Sequence, residues 1–255
     1  MYLLIINESL DLTREFPYLL SMNWASIIKA YPSQADVIQG VKSLREKIDR
    51  AMEGIDAPDM STTCRELADL TDFVPLFAQT CAMVWKDITG SDPVFDMAEA
   101  FKAAASGKDT EAIAGAQGDL LQTIMQNAFS RLLYLLREKN AHLIPESWSQ
   151  GDCPFCGAYP RIGFDAEDKR TLHCLSCGYS WRFARFKCPS CGNTDYNTQG
   201  YFEAEGLEGV RVNFCRECNR YFKIVDTRIR PFEDPETEDA LTLELDDLAI
   251  KEGFL

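Results

Sequence analysis

The chain has 255 residues and is 46% hydrophobic, which suits an ordinary globular protein with one large domain or two modest ones. Its formal net charge of −14 counts against a nucleic-acid surface, which needs a basic excess. No window of about 18 apolar residues occurs, so no membrane-spanning helix is expected.

The opening Met1-Tyr-Leu-Leu-Ile-Ile6 lacks the basic start of a signal peptide and reads as a strand or the first turn of a helix. A soluble, cytoplasmic protein is expected, in which thiols stay reduced. Residues 1–145 read as a helical domain. Over 34–53, Val37, Val41, Leu44, Ile48 and Met52 share one face, with Ser33 as N-cap and Gly54 as stop. The opposite face, Lys42, Arg45, Glu46, Lys47, Asp49 and Arg50, reads as solvated. A break over 54–61 precedes a short helix at 62–72, and Pro75 interrupts or begins the next. Phe77, Cys81, Val84, Trp85 and Ile88 recur at helical spacing up to Gly90. Asp92 and Pro93 open a further helix with Met97, Phe101 and Ala105 inward and Gly107 closing it. Asp109 caps the longest helix, whose stripe of Leu120, Leu121, Ile124, Met125, Ala128, Phe129, Leu132 and Leu133 is wide enough to be buried on both flanks. Cys64 and Cys81 lie on apolar helical faces and read as free buried thiols. His142 follows the last long helix, and a chain with only two histidines offers poor material for nucleophilic or acid–base catalysis.

A polar connector, 143–152, leads into the stretch that carries the chemistry. Eight of the ten cysteines form four Cys-x-x-Cys pairs: Cys153/Cys156, Cys174/Cys177, Cys188/Cys191 and Cys215/Cys218. Two thiolates three positions apart reach one ion if the chain turns tightly, which the glycine after the second cysteine of the first three pairs favours. Seventeen residues separate the first two pairs and 23 the last two, while only ten separate the halves. Sequential pairing follows: one ion on Cys153, Cys156, Cys174 and Cys177, another on Cys188, Cys191, Cys215 and Cys218. Zinc and a single iron both accept four thiolates in this geometry. A disulfide framework belongs to small secreted chains, a thioredoxin-like motif needs one pair near a βαβ unit, and iron–sulfur clusters use other spacings.

Within this region the periodicity becomes two, over 161–164, 171–174 and 179–186 in the first module and 209–214 and 220–225 in the second. The organisation expected is α+β: a helical bundle (1–145), two rubredoxin-like zinc ribbons of four cysteines each (146–186 and 187–230), and an acidic segment with a helix (231–255). Thirteen of the 28 aromatic residues lie between 151 and 230. Interleaved with arginines they resemble a base-stacking platform, but small ribbons need large rings to fill their cores, and that reading is preferred. Residues 151–230 carry 12 basic and 10 acidic side chains, and each tetrathiolate around a divalent ion adds about −2, so the loaded region is not basic. His173, beside Cys174, reads as a solvent-facing strand residue in preference to a partner of a metal thiolate.

The order Cys153-Pro-x-Cys-Gly-x-x-Pro160, then Leu172-His-Cys-x-x-Cys-x-x-x-Trp181, Arg185-x-Lys-Cys-x-x-Cys191 and Cys215-x-x-Cys-x-x-Tyr-x-Lys223 resembles the FdhE family of formate dehydrogenase accessory proteins. The segment Asp239-Ala-Leu-Thr-Leu-Glu-Leu-Asp-Asp-Leu-Ala-Ile-Lys-Glu-Gly-Phe254 resembles that family's closing helix. The sequence ends at Leu255, without the arginine and Asn-Pro-bearing tail that members often carry, and Asn219 stands where glycine is usual. The resemblance implies a cytoplasmic maturation factor, not an enzyme. It would engage the catalytic subunit of respiratory formate dehydrogenase before twin-arginine export, with rubredoxin-like modules holding zinc or iron. A rubredoxin-like electron carrier and a nucleic-acid-binding ribbon are the competing readings.

Overall fold

The structure, a computed structural model, describes residues 22–65, 71–105, 110–167, 169–232 and 234–255. The expectation for Met1–Ile6 and those for Gly107 and Asp109 fall outside these residues. The helical half contains α1 (Trp24–Ala30), α2 (Ala35–Ala51), α3 (Val74–Thr89), α4 (Met97–Ala105), the short α5 (Glu111–Ala114) and α6 (Gly118–Lys139). Helix α3 packs against α2, α4 and α6. Pro75 sits in its first turn, where a missing N–H costs nothing, and Gly90 ends it at φ 77°. On α6, Leu121, Ile124, Met125, Ala128, Leu132 and Leu133 of the expected stripe are buried, with Leu136 beside them, while Leu120 and Phe129 are half-buried against the same core.

Several local expectations give way to tertiary packing. On α2 the inward face is Ile38, Leu44, Arg45 and Ile48, while Val37 is 50% exposed. Arg45, expected in solvent, is buried with Nε donating to Asn127 Oδ1 at 3.2 Å and its guanidinium over the Trp24 ring. Ser33 does not cap; the 3₁₀ turn Pro32–Gln34 leads into the helix instead. Of the helix expected over 62–72, residues 62–65 form a bend and turn, 66–70 lie outside the described residues, and the 3₁₀ turn Thr71–Phe73 precedes α3. Helix α4 starts at Met97, later than Asp92 and Pro93, because the Asp96 carboxylate accepts from Glu99 N at 2.9 Å. Ile88 is exposed.

The ribbon half is one six-stranded sheet: β1 (Ile162–Ala166), β2 (Lys169–His173), β3 (Ser180–Phe183), β4 (Gln199–Phe202), β5 (Val210–Cys215) and β6 (Arg220–Asp226), in the order β3-β2-β1-β6-β5-β4. The antiparallel ribbons β1–β2–β3 and β4–β5–β6 join through the parallel pair β1–β6. Gly163 permits the join: a Cβ there would lie 2.7 Å from Thr171 O and 3.0 Å from Ile224 Cδ1. Strand β4 escaped the sequence reading because Gln-Gly-Tyr-Phe shows no clear alternation.

Strand alternation then assigns two faces. Leu172, Trp181, Phe183, Phe222 and Ile224 join the helical core. Two tail helices follow, α7 (Pro235–Ala240) and α8 (Leu243–Lys251); Ile162, Val210, Val212 and Val225 pack on Leu245 and Ala249 of α8 and on Phe254 beyond it. Ala240 and Leu243 also meet Ile27 and Ile38 of the first two helices, so the tail is wedged between the sheet and the helical half.

That wedge buries the acidic tail. Asp234, Glu236, Glu238, Asp239 and Asp246 are all buried, and each finds a partner, as buried charges must. Asp234 caps α7 through Thr237 N at 2.8 Å, and Glu238 meets Arg230 Nε at 2.7 Å. Lys223, 0% exposed in mid-strand, places Nζ 2.7 Å from both Asp239 Oδ1 and Asp246 Oδ2. His173, expected to face solvent, is buried instead: Nδ1 meets Ser180 Oγ at 2.7 Å and Nε2 pairs with Glu236. The cause is α7, which covers that face of the sheet.

Candidate metal centres

The first three Cys-x-x-Cys pairs sit on knuckles closed by backbone hydrogen bonds, and the fourth joins β5 to β6. Gly157 N donates to Cys153 O at 2.9 Å, Gly178 N to Cys174 O at 2.8 Å and Gly192 N to Cys188 O at 3.0 Å. The residue after the second cysteine is left-handed in all four: Gly157, Gly178 and Gly192 at φ 73–76°, and Asn219 at 54°. Asparagine tolerates that region, and Asn219 O also accepts from Leu255 N at 2.7 Å. Because β1 and β6 are parallel, the knuckles that precede them lie at the same end of the sheet. A cleft of about 490 Å³ between the modules is lined by Asp152, Tyr159, Lys187 and Arg220.

The eight sulfurs gather into two groups, Cys153, Cys156, Cys174 and Cys177, and Cys188, Cys191, Cys215 and Cys218, each with its Sγ atoms within 4.8 Å of one another. Cys153–Cys177 and Cys156–Cys174 are 3.5 and 3.4 Å apart; Cys188–Cys218 and Cys191–Cys215 are 3.7 and 3.8 Å apart. Metal–sulfur bonds of about 2.3 Å give a tetrahedron with sulfur–sulfur edges of about 3.8 Å, so both groups fit one ion each. All eight cysteines are free of disulfides. Protonation equilibria point the same way. Hydrogen bonds from Cys156, Cys174 and Cys177 pull the Cys153 thiol far down, hydrogen bonds to Cys153 and Cys156 hold Cys174 well up, and burial holds Cys177 well up. Four thiolates this close ionise together only around a cation.

The two centres differ in setting. Cys153, Cys174 and Cys177 are buried in the core shared with the helices. Arg137 of α6 donates Nε to Cys177 O at 3.1 Å, and Arg65 N donates to Phe155 O at 2.8 Å within the first knuckle. In the second centre Cys191 is exposed and Cys218 half-buried, with Asn193 Nδ2 3.6 Å from Cys215 Sγ. Cys64 and Cys81 lie outside both groups. Burial pushes the Cys64 thiol up to about 11 and raises that of Cys81 further, as inert thiols require. His142 is exposed. Sequence reasoning overlooked Lys223, although a lysine at the inward position between Tyr221 and Val225, with an acidic run downstream, was the available signal.

Residues 186–255 match the family model described as FdhE, C-terminal domain. Over these residues the chain is similar to the C-terminal domain of FdhE proteins. The FdhE match takes in the whole second centre and the wedged tail. A protein FdhE homolog of Aquifex aeolicus is 32% identical over 146 residues, covering 55% of this chain and 51% of the relative. One of Shewanella sp. is 32% identical over 109 residues, 41% of this chain and 36% of the relative. The chain therefore spans about half the length, or less, of these curated FdhE relatives. The crystal structure of the FdhE protein from Pseudomonas aeruginosa superposes with a TM-score of 0.65 at 18% identity, over 97% of this chain and 94% of that one. At that identity the agreement establishes the FdhE fold.

Proposed function

We propose that the chain is an accessory factor, not an enzyme, in the cytoplasmic maturation of a respiratory formate dehydrogenase. Its ligand is that enzyme's catalytic subunit before export, with the twin-arginine signal region as the segment attracted by the acidic helical half. The observation that carries this reading is the pair of four-cysteine centres held side by side at one end of one sheet, within a chain whose residues 186–255 match the FdhE C-terminal domain model. Metal, zinc or iron, fixes the knuckles and so shapes the cleft between them, where the subunit docks. No helix among the described residues is long and apolar enough to cross a membrane, and the net charge of −14 leaves nucleic acid outside the proposal.

The test is retention of the purified catalytic subunit on a column carrying the metal-loaded protein. Reversing Lys187 and Arg220 to glutamate should abolish capture while metal content stays unchanged. Absence of capture by the parent protein, or equal capture by the reversed variant, refutes the assignment. A second reading, electron transfer, is favoured by the exposed Cys191, which brings one centre to the surface. Anaerobically purified protein that is red and bleaches on reduction supports it; a colourless, zinc-loaded protein dismisses it.

A further inference from the structure

Part of one sheet face is left open beside the second centre, and its residues are unlike the rest of this acidic protein. Arg170 grips the buried Asp165 with Nε and Nη2 at 3.0 and 3.1 Å, and its Nη1 donates to Arg185 O at 3.0 Å. Arg211 brings Nη2 to 2.6 Å from the same carboxylate, with its guanidinium over the Tyr201 ring. Arg185 Nε lies 3.8 Å from Asp165, inaccessible to solvent and without a hydrogen-bond acceptor. Arg228 holds Asp226, its Nε 2.8 Å from Oδ1. Four guanidiniums thus line, with Asp165 and the second-centre ligands Cys188 and Cys215, one groove of about 450 Å³, within the size range of small-ligand sites.

The rings of the groove are equally out of place. Phe186, Tyr196 and Tyr201 are 81, 79 and 63% exposed and all three line it. Ribbon cores account for Phe155, Trp181, Phe183 and Phe222, which are buried; they do not account for these three. Four guanidiniums outnumber the two carboxylates they hold, which offsets the charge of about −2 on the loaded second centre beside them, and guanidinium forks match phosphate oxygens. Exposed rings beside them offer a stacking surface for a flat ligand.

We infer that this groove binds a small phosphate dianion carried on a flat ring, of the nucleoside monophosphate class. The phosphate lies against Arg185, Arg211 and Arg228, and the ring against Tyr201 and Tyr196. Nothing in this assignment depends on formate dehydrogenase, so its failure leaves the proposed function untouched, and the reverse.

The test is calorimetric titration of the full-length, metal-loaded protein with adenosine 5′-monophosphate, and with ribose 5-phosphate and adenosine as its two halves. The whole nucleotide should saturate, weaken as salt rises, and exceed each half by about tenfold. Tyr201→Ala, at an exposed position, should weaken it by about five- to tenfold with metal content and melting curve unchanged, and Arg228→Gln by as much with metal content unchanged, its loss also releasing Asp226. Arg211→Gln should weaken it further, though its loss also releases Asp165. Absence of saturable nucleotide binding, or affinity unmoved in both Arg228→Gln and Tyr201→Ala, overturns the inference. So does displacement of the nucleotide by a Glu-Tyr repeat peptide that binds more tightly, which would make the groove a polypeptide site.

Discussion

Replacing Lys223 by methionine tests the wedge most directly. The side chain is fully buried, and its ammonium group is held by Asp239 Oδ1 and Asp246 Oδ2 at 2.7 Å and by Asp239 O at 3.0 Å. Methionine fills the stem's volume but leaves two buried carboxylates facing each other. Removing one partner of a buried ion pair costs about 3–5 kcal/mol. Arg161 remains, but its Nη2 lies 3.8 and 3.7 Å from the two carboxylates and its side chain is a third exposed. It therefore recovers little, and a loss of about 3–4 kcal/mol is expected. In a chain of this size that corresponds to a melting temperature lower by about 10 °C. Urea unfolding followed by circular dichroism measures the loss, and limited proteolysis should show cleavage beginning after Asp226, where the wedge is released. A loss below about 1 kcal/mol would mean that the carboxylates are neutralised by other means, and the account of the buried tail would be wrong.

Four further outcomes are expected. Asp239 supplies a pH dependence: burial alone would raise its pKa, but Lys223 and Arg161 outweigh burial and hold it below the ordinary carboxylate value. Its stabilisation is thus complete at neutral pH and lost as acid titration passes below about 3.9; unfolding free energy that stays level through that window refutes the linkage. Chelator should strip the second centre before the first, because Cys191 is exposed while three ligands of the first are buried; native mass spectrometry that shows simultaneous loss of both ions would contradict this. Cys153→Ser should remove one ion and loosen the helical half from the sheet, since structural tetrathiolate sites contribute about 10–16 kcal/mol of apparent binding energy; hydrogen exchange along α6 should rise, and unchanged protection there would count against the shared core. Asn219→Val should cost about 1–2 kcal/mol because φ is 54° at that position, whereas Asn219→Gly should be neutral; denaturant midpoints decide.

What could be read without coordinates was whatever short-range chemistry dictates. The Cys-x-x-Cys spacing with a left-handed residue after the second cysteine requires a knuckle wherever it occurs, so the four turns and the division of eight sulfurs into two groups were legible residue by residue. The wide stripe on α6 was legible for the same reason, since a helix apolar over two adjoining rows must be covered on both. Tertiary packing decided what no local pattern encodes. Periodicity marks Val37 and Ile38 alike as apolar, and only the neighbouring helices choose which is inward; Arg45 looks solvated until Asn127 and Trp24 arrive from distant positions. Likewise a run of acids reads as a wet surface. It is buried here because the tail returns over a sheet whose strands carry Lys223 and His173, and whose flanking segments carry Arg161 and Arg230, to meet it. Pairing across 8 to 85 residues, like the parallel β1–β6 join that sets the two centres side by side, comes from the path of the chain in space. A sequence fixes which groups need partners, and the folded chain determines which partners they find.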